Sequence, residues 1–460
     1  MSVVALDIGT SRTKALFAHW DGRVEPAASA DTPNLSREPG ELAFPADAVW
    51  DRVAGLVAAV AEAHPDDPVD TLVFSCLGTA MVPLDRDGSP LGPAISPADS
   101  RPSIDLALYG EVALRPGSLL EITGQDPRTQ SFLLHWLWWR RVHPEVTGRL
   151  ERFRSLRGFV VHRLCGADAE DPSWASRTML MDLETSSWSA EVLTAAGLPG
   201  DALPAIRPST SAWPVDEGMA ARLGLAPGAR VVLGGMDNCC AILGATEPGE
   251  ERLVNIAGTY EHVAGSGSLE VARSTAAAVS GLVHRHLLPD RYVSMSRVAL
   301  GHLLRLAAEG SPGGLDALLD GVRVDPVGER MRLDDDAVHE ALREGTSPGV
   351  VVQRMLETAG STMLRSLRAW EAAGPRIDRV VVVGGGAARD RVLGLKANLV
   401  GRPLSTLAWD ESAGLGALRL AAMAARGASP TDAIRLFPNP IVRSWSPGGG
   451  SRGSTASEEP

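Results

Sequence analysis

Residues 3–18 read VVALDIGTSRTKALFA. An apolar run leads into Asp7-Ile8-Gly9-Thr10 and a second one follows Lys14, which predicts two strands joined by a tight turn. Glycine lets the backbone approach a ligand closely and exposes N–H groups, and threonine adds a hydroxyl donor, so this turn suits phosphate oxygens. Ser11, Thr13 and Lys14 extend the loop. Asp7, just before the turn, is placed to hold a hydrated Mg²⁺ that bridges nucleotide phosphates.

The same strand–turn–strand unit returns in the second half of the chain. Residues 252–257 (RLVNIA) predict a strand, Gly258-Thr259 a turn, and residues 260–264 a second strand. Either turn alone is explained as an ordinary hairpin connection, but two copies at corresponding places favour phosphate binding. The repetition predicts a duplicated α/β fold with a ligand in the cleft between its halves.

The domain boundaries follow from composition. The polar, turn-rich run at 246–251 indicates a junction, which gives a first domain over 1–246 and a second over 247–440. Residues 446–460 are rich in Gly and Ser and have almost nothing to bury, so they predict a disordered tail.

The candidate catalytic base lies in the segment Gly234-Gly235-Met236-Asp237-Asn238. A strand ends there, two glycines follow, and a carboxylate begins an apolar helix. A plain helix cap explains Asp237 equally simply, because helix N-termini stabilise charged aspartate. The glycine pair, which permits close ligand approach, favours Asp237 as the group that accepts a proton from a substrate hydroxyl as that hydroxyl attacks phosphorus.

Composition excludes several classes of function. The 460 residues include 44 basic and 56 acidic side chains, a net charge of −12, which argues against neutralising many nucleic-acid phosphates. No apolar run approaches the roughly 18 residues of a membrane span, and the first residues carry no cleavable leader. The four cysteines form no CxxC pair, so we expect a cytoplasmic protein whose partner is a small molecule.

Two familiar nucleotide motifs are absent. No GxxxxGK[ST] occurs, because Lys14 is followed by Ala15. The run Gly384-Gly385-Gly386-Ala387 follows a predicted strand but lacks the last glycine of GxGxxG. We interpret this run as a surface on which a purine base or ribose lies, with a tight strand–helix turn as the alternative.

Five segments, taken together and in order, resemble the FGGY family of carbohydrate kinases over residues 3 to about 440. They are residues 7–14 (DIGTSRTK), 96–101 (SPADSR), 234–238 (GGMDN), 257–259 (AGT) and 384–388 (GGGAA) through 410–417 (DESAGLGA). The resemblance implies duplicated actin-like, ribonuclease-H-like domains, with ATP mainly on the C-terminal domain and a sugar mainly on the N-terminal one. It also implies Mg²⁺ and, in many members, a homodimer.

The resemblance also assigns residues. The base is Asp237, and Asp7 is the metal residue. Nucleotide and phosphate contacts fall on Gly9, Thr10, Ser11, Thr13, Lys14, Gly258, Thr259, Gly301, Gly385, Gly386 and Ala387. Sugar contacts fall on Thr79, Asp99, Arg101 and Asp237.

The chain departs from the family pattern at the sugar side. Residues 77–80 (LGTA) stand where xylulose kinases carry Gln-Met-His-Gly, and Pro97 replaces the usual Trp before Asp99. Gly258-Thr259-Tyr260-Glu261 is similar to the Gly-Thr-Trp-Glu of L-fuculose kinases. The sequence therefore leaves three classes of substrate: ketoses, sugar acids and polyols.

The function expected on these grounds is an ATP-dependent carbohydrate kinase, a phosphotransferase with an alcohol acceptor. Its γ-phosphoryl group passes to a hydroxyl of a small sugar, with Asp237 as base. One alternative is a nucleotide- or sugar-binding regulator of the same fold with weakened catalysis. The altered residues 77–80 and Pro97 motivate it, whereas the intact Asp7, Asp237 and both Gly-Thr turns argue against it. Another is an actin-like ATPase that acts on protein or acyl-CoA partners.

Overall fold

The structure is a computed structural model of the chain. It describes residues 1–96, 98–112, 114–127, 130–258, 260–309, 311–325, 330–374, 376–448 and 451–453. Pro97 and the predicted nucleotide contact Thr259 lie outside the described residues. Within these ranges, no helix combines the length and the apolarity needed to cross a bilayer.

The strands are given in chain order. In the first half they are β1 (Ser2–Ile8), β2 (Arg12–His19), β3 (Val24–Asp31), β4 (Ala43–Phe44), β5 (Val69–Cys76), β6 (Met81–Leu84), β7 (Ala94–Ile95), β8 (Arg152–Ser155), β9 (Ala169–Glu170), β10 (Met181–Asp182), β11 (Ser187–Trp188), β12 (Ala205–Ile206), β13 (Ala212–Pro214) and β14 (Arg230–Met236). In the second half they are β15 (Arg252–Ala257), β16 (Glu261–Gly267), β17 (Leu282–Arg285), β18 (Tyr292–Val298), β19 (Arg379–Val383), β20 (Leu404–Leu407), β21 (Ile441–Trp445) and β22 (Ser451–Gly453).

The α-helices are α1 (Ala46–Ala63), α2 (Ser118–Thr123), α3 (Phe132–Val142), α4 (Pro144–Thr147), α5 (Leu156–Cys165), α6 (Pro172–Ala175), α7 (Ala190–Ala196), α8 (Glu217–Leu223), α9 (Asp237–Ala245), α10 (Leu269–Val279), α11 (Leu300–Ala308), α12 (Gly314–Gly321), α13 (Asp335–Arg343), α14 (Pro348–Ala373), α15 (Asp390–Val400), α16 (Ser412–Arg426) and α17 (Pro430–Leu436). Short 3₁₀ helices occupy Pro102–Glu111, Ser176–Thr178, Gly200–Ala202 and Gly385–Ala388.

The chain forms two compact units. The first contains Met1–Gly244, Val283–Arg291 and Ala413–Pro438, and the second contains Ala245–Leu282, Tyr292–Ser412 and Asn439–Pro460. The sequence predicts a single junction between residues 246 and 247, two residues after the first boundary in the structure. It also assigns 283–291 and 413–438 to the second half. That division follows composition along the chain, whereas α16 and α17 belong to the first unit through three-dimensional contacts that composition does not record.

The sheet of the first unit has the order β13-β14-β5-β1-β2-β3. Strands β1, β2 and β3 are antiparallel neighbours, while β1, β5 and β14 run parallel. Helix α1 buries Val49, Trp50, Val53 and Val57 in the same core as the side chains of β1. These positions recur at helical spacing, so the face that the pattern makes apolar is the face that is buried.

The sheet of the second unit repeats this arrangement and includes, in order, β18-β16-β15-β19-β20-β21-β22. Strands β15, β16 and β18 are antiparallel neighbours, and β15, β19 and β20 run parallel. Three antiparallel strands followed by two parallel ones therefore occur in both units. The duplicated α/β fold predicted from the repeated strand–turn–strand unit is confirmed.

The expected disordered tail contains a short strand. Residues 451–453 form β22, which pairs with β21 through Arg443 and Gly453, Ser444 and Arg452, and Trp445 and Ser451. Backbone hydrogen bonds to an available strand edge require no buried side chain, so composition does not signal such a strand. Residues 449–450 and 454–460 of the expected tail lie outside the described residues, and its disorder there stays a prediction.

Candidate active site

The parallel strands β1, β5 and β14 of the first unit bring polar residues to one edge of the sheet. The register places Asp7 beside Ser75 and Ser75 beside Gly235. The Ser75 hydroxyl donates to Oδ1 of Asp7 at 2.7 Å. Asp237 follows β14 directly and is the first residue of α9. The strand order thus gathers Asp7 and Asp237, which are far apart in sequence, at the same end of neighbouring strands.

The pKa of the Asp237 carboxyl group is raised well above its usual range. Burial, and after it the negative charge of Asp7, raise the pKa of Asp237 to about 7, although the Asn238 N–H and the Arg177 guanidinium act in the opposite direction. The Asn238 N–H donates to Oδ1 of Asp237 at 2.7 Å. A carboxylate with a pKa near the working pH is well matched to accept a proton during catalysis.

The backbone before Asp237 is fixed by helix α6. The Met236 N–H donates to the Ser173 hydroxyl at 3.0 Å. Asp171 caps α6 by accepting from the N–H groups of Ser173 at 2.9 Å and Trp174 at 3.3 Å. No local pattern in the sequence signals this support, because Ser173 lies 63 residues from its partner.

Gly234, three residues before Asp237, lies against protein backbone and not against open space. Gly234 has φ +74°, and a Cβ there would lie 1.7 Å from the carbonyl oxygen of Phe74 in β5. The sequence predicts close ligand approach at the Gly234-Gly235 pair. The structure corrects this for both glycines, because Gly234 is required by backbone packing between β14 and β5, and a Cβ on Gly235 would lie 2.0 Å from Leu287 Cδ2.

The first predicted phosphate turn joins β1 to β2. The Gly9 N–H donates to Arg12 O at 3.1 Å, and Thr10 and Ser11 are exposed at the tip. Lys14 stands opposite Asp7 in the register of the two strands. The turn therefore joins the strands that carry Asp7 and Lys14, and phosphate binding by its residues stays a prediction.

Thr13 differs from its predicted role as a phosphate contact. It is fully buried, and its hydroxyl bonds that of Thr32 at 2.9 Å, which in turn donates to Gly9 O at 2.8 Å. Thr13 therefore stabilises the turn through Thr32, which bonds the carbonyl oxygen of Gly9. A strand alternates its two faces, and Thr13 lies on the buried one.

Asp99 and Arg101 form a tight pair. Arg101 Nε donates to Asp99 Oδ1 at 3.0 Å and Nη2 donates to Oδ2 at 2.8 Å, while the Leu42 N–H also donates to Oδ2 at 3.0 Å. Asp99 is fully buried, whereas the Arg101 side chain is 23% exposed. Of the two predicted sugar contacts, Arg101 is thus the one that can reach a ligand, and Asp99 orients it.

Besides burial, the charges of Asp99 and Arg101 both influence the pKa of the nearby His135. It is buried on α3, and neither ring nitrogen has a hydrogen-bond partner among the described residues. Burial foremost lowers the pKa of His135 to about 4, and Asp99 and Arg101 add opposing contributions. His135 is therefore a neutral polar group at physiological pH.

Thr79 has the most unusual backbone of the predicted site residues. It adopts φ +54°, a left-handed conformation that β-branched residues rarely take. Its side chain is buried, and Oγ1 finds no hydrogen-bond partner among the described residues. Such strain persists only where the surroundings impose it, and it is concentrated at functional sites.

The second unit contains a cavity of about 270 Å³ beside the end of β15. Gly258, Gly301, Gly385 and Gly386, all predicted nucleotide contacts, line it. A Cβ on Gly385 would meet no atom within 4 Å, so this glycine faces open space. Ala387 is buried and donates its N–H to Gly384 O at 2.9 Å, and it is not among the residues that line this cavity, so its contact with a nucleotide stays a prediction.

Charged residues that the sequence analysis did not select also line this cavity: Glu261, Arg305 and Arg389. Lys396 donates to both carboxylate oxygens of Glu261, at 2.5 and 2.6 Å, and Lys396 is 1% exposed. A signal was available, because Lys396 is one of only two lysines among 44 basic residues, and the other is Lys14.

The residues present fit a magnesium nucleotide. In the described part of the chain, no three His, Cys, Asp or Glu side chains form a metal site by themselves. Mg²⁺ is commonly held by one or two carboxylates together with phosphates and water, so a single carboxylate such as that of Asp7 is compatible with a Mg²⁺ carried by the nucleotide phosphates. The glycine-lined cavity supplies the room that a nucleoside requires.

Comparison with known proteins places these features in a family. The profile described as the FGGY family of carbohydrate kinases, N-terminal domain, matches residues 2–244, and the profile of the C-terminal domain matches residues 323–425. The chain is 23% identical to a xylulose kinase of Staphylococcus xylosus over 444 residues, 92% of this chain and 90% of that protein. It is 26% identical to a gluconokinase of Bacillus licheniformis over 247 residues, 53% of this chain and 47% of that protein.

Solved structures show the same fold. A ligand-bound xylulose kinase from Lactobacillus acidophilus superimposes with a TM-score of 0.82 at 16% identity, covering 97% of this chain and 94% of that one. The gluconate kinase of the same organism gives a TM-score of 0.82 at 15% identity, covering 97% and 93%. The duplicated actin-like fold is thereby confirmed, and the profile match over more than half of the sequence makes this chain a member of the FGGY family of carbohydrate kinases.

Proposed function

We propose that this protein is an ATP-dependent carbohydrate kinase in which Asp237 is the general base. The observation that carries the proposal is the position of Asp237 at the end of β14, at the edge of the sheet where Asp7 lies on β1 with β5 between them, together with a pKa that burial and the charge of Asp7 raise to about 7. Xylulose, gluconate and glycerol kinases occur among its relatives, so a small polyhydroxylated substrate is the expected acceptor.

Residues of the first unit would handle phosphate charge and the reacting hydroxyl. The backbone N–H groups of Thr10 and Ser11 and the ammonium group of Lys14 are proposed to contact phosphate oxygens. Asp7 would hold Mg²⁺, which when bound neutralises charge on the transferred phosphoryl group. Asp237 would orient the sugar hydroxyl and take its proton as the bond to phosphorus forms, and the support from Ser173 would keep its carboxylate in place.

Residues of the second unit are proposed to bind the nucleoside. Gly385 and Gly386 would lie against the base or ribose, because no side chain separates their backbone from the cavity. Gly301 lines the same space, and Gly258 is proposed to contact phosphate. Thr259, outside the described residues, is proposed as a phosphate contact on the family resemblance alone.

The sugar is proposed to contact Arg101 and Thr79. Arg101 presents donors held in one orientation by Asp99, and Thr79 offers a buried hydroxyl that has no partner among the described residues. Because residues 77–80 differ from the Gln-Met-His-Gly of xylulose kinases, we propose a preference that is distinct from xylulose.

The experiment is ADP release by the purified protein with MgATP across ketoses, aldoses, sugar acids and polyols, run beside Asp237→Asn. We expect one strong acceptor, with turnover reduced by several orders of magnitude in the variant and nucleotide binding retained. Near-normal turnover of Asp237→Asn would contradict the base assignment. Binding of ATP and sugar without turnover would instead support the regulator, and sugar-independent hydrolysis would support the actin-like ATPase.

A further inference from the structure

Helix α16 packs against α9 with unusually close backbones. Both belong to the first unit, although α16 lies far along the chain. A Cβ on Gly416 would lie 1.9 Å from the carbonyl oxygen of Cys240 and 2.7 Å from its carbonyl carbon. No side chain fits in that space, so the two helix backbones are in direct contact at Gly416. Cys240 lies three residues after Asp237, one turn into α9.

Arg419, on α16, holds the carboxyl end of α9. It is fully buried, and Nη1 donates to Leu243 O, in the last turn of α9, at 2.5 Å. Its Nε and Nη2 donate to Phe437 O, just after α17, at 3.0 and 2.8 Å. The last carbonyls of a helix lack partners within it, and a cation there is favoured by the helix dipole. Arg419 therefore holds the carboxyl end of α9.

We propose that α16 is a positioning element for Asp237, in which Gly416 and Arg419 set the placement of α9 and so of its first residue. The role of Asp237 as base rests on the proposed function. Ser173 holds the chain on the strand side of Asp237, at Met236, and α16 holds it on the helix side. A shift of α9 carries the carboxyl group with it, because hydrogen bonds within the helix keep it rigid.

The decisive comparison is Gly416→Ala with Gly414→Ala. Both residues lie in α16 and both changes gain helix propensity. At Gly414, however, a Cβ would meet Leu16 Cδ1 at 2.7 Å, the far end of a flexible side chain. A misplacement of about 1 Å in an active site costs on the order of 100-fold in rate. We expect Gly416→Ala to lower kcat by roughly 10-fold or more with little change in the KM for ATP, and Gly414→Ala to stay within about twofold of wild type.

A second readout requires no substrate. The carboxyl titration of Asp237, followed by carbon NMR with Asp237→Asn as the assignment control, reports its surroundings directly. We expect the midpoint to move in Gly416→Ala and not in Gly414→Ala. If the wild type phosphorylates no sugar, the proposed function fails, while this titration still tests the positioning role.

A folded Gly416→Ala with the kcat and the Asp237 midpoint of Gly414→Ala would overturn the proposal. If Gly416→Ala does not fold, Arg419→Lys takes its place. Lysine keeps the charge but cannot reach both carbonyl oxygens in the same geometry. Arg419→Lys is then expected to lower kcat and move the midpoint, and wild-type values for both would overturn the proposal equally.

Discussion

The Ser75 hydroxyl donates a 2.7 Å hydrogen bond to Oδ1 of Asp7. The bond crosses the parallel pair β1 and β5 at the edge where Asp237 follows β14. The bond fixes the orientation of the Asp7 carboxyl group at this edge of the sheet. The charge on Asp7 is in turn the second cause, after burial, of the raised pKa of Asp237. Ser75 and Asp7 therefore both belong to the surroundings that set the properties of Asp237.

The pH dependence of turnover should report Asp237. With a pKa of about 7, its carboxyl group is protonated below neutrality, and a protonated base cannot accept the sugar proton. We expect kcat of the wild type, measured at saturating sugar and MgATP, to rise with pH and to level off above pH 7. Asp7→Asn removes a like charge and should lower the pKa of Asp237 in the protein without nucleotide. The move should be partial, since burial remains. Because Asp7 is the proposed Mg²⁺ residue and the variant should lose turnover, this pKa is measured by carbon NMR of the Asp237 carboxyl group in both proteins, and an unchanged midpoint in the variant would contradict the coupling.

The stability of the fold should depend on Asp237 over the same range. A carboxyl group with a pKa of about 7 when folded, and of ~4 when unfolded, binds more protons in the folded chain. Its contribution therefore favours folding at low pH and is lost as the pH rises toward 7. Asp237→Asn carries no ionisable group at this position, so it should not lose stability as the pH rises. Its melting temperature should therefore exceed that of wild type at pH 8 and be close to the wild-type value at pH 4. Differential scanning fluorimetry across that range checks the prediction, and parallel curves would contradict it.

Thr79→Gly should stabilise the protein and impair sugar use. A β-branched residue at φ +54° stores strain of roughly 1–3 kcal/mol, which glycine relieves. The same change removes the buried hydroxyl, whose bond to a sugar is worth about 1 kcal/mol, or several-fold in KM. We expect a higher melting temperature together with a raised KM for the sugar and an unchanged KM for ATP.

Thr79→Ser is the matched control for that change, since it keeps the hydroxyl and removes only the methyl group. It should retain the sugar KM of wild type. Equal KM values for the two variants would show that the hydroxyl does not contact substrate.

The sequence predicted the fold well because the fold depends on local patterns that recur. The strand–turn–strand unit around Gly9 and the one around Gly258 can each be recognised within about 16 residues, and their repetition implies the duplication. The contacts that hold the chain on either side of Asp237, from Ser173 to Met236 and from Arg419 to Leu243, could not be predicted in this way. Ser173 and Arg419 lie far from Asp237 in sequence, and no local pattern encodes which distant side chain satisfies a given backbone group.

The surroundings of three predicted ligand contacts have a related explanation. Motif position places Thr13, Asp99 and Ala387 at the site, and the structure shows that each is also buried and bonded within the protein, so their contact with ligand stays a prediction. Motifs record which residues accompany a function, and they do not separate those that touch the ligand from those that hold the contacts in place.

Lys396→Met should destabilise the second unit strongly. Lysine bonds both carboxylate oxygens of Glu261, and removing one partner of a buried ion pair costs about 3–5 kcal/mol because the other charge remains uncompensated. Urea denaturation should show this loss. Lys396→Met combined with Glu261→Leu should recover most of it, since replacing both charges by apolar groups is often neutral. Equal loss in the single and double variants would contradict this explanation.

Gly385→Leu should block nucleotide binding without unfolding the protein. Gly385 lines the cavity of the second unit, and a Cβ there meets no atom within 4 Å, so a larger side chain extends into space that the nucleoside would occupy. The matched control is Gly349→Leu, at the start of α14, where a Cβ likewise meets nothing within 4 Å. We expect both variants to melt near the wild-type temperature and only Gly385→Leu to lose affinity for ATP and ADP by calorimetry. If Gly385→Leu binds ATP as tightly as Gly349→Leu, the nucleoside lies elsewhere, and the assignment of this cavity fails while that of Asp237 stands.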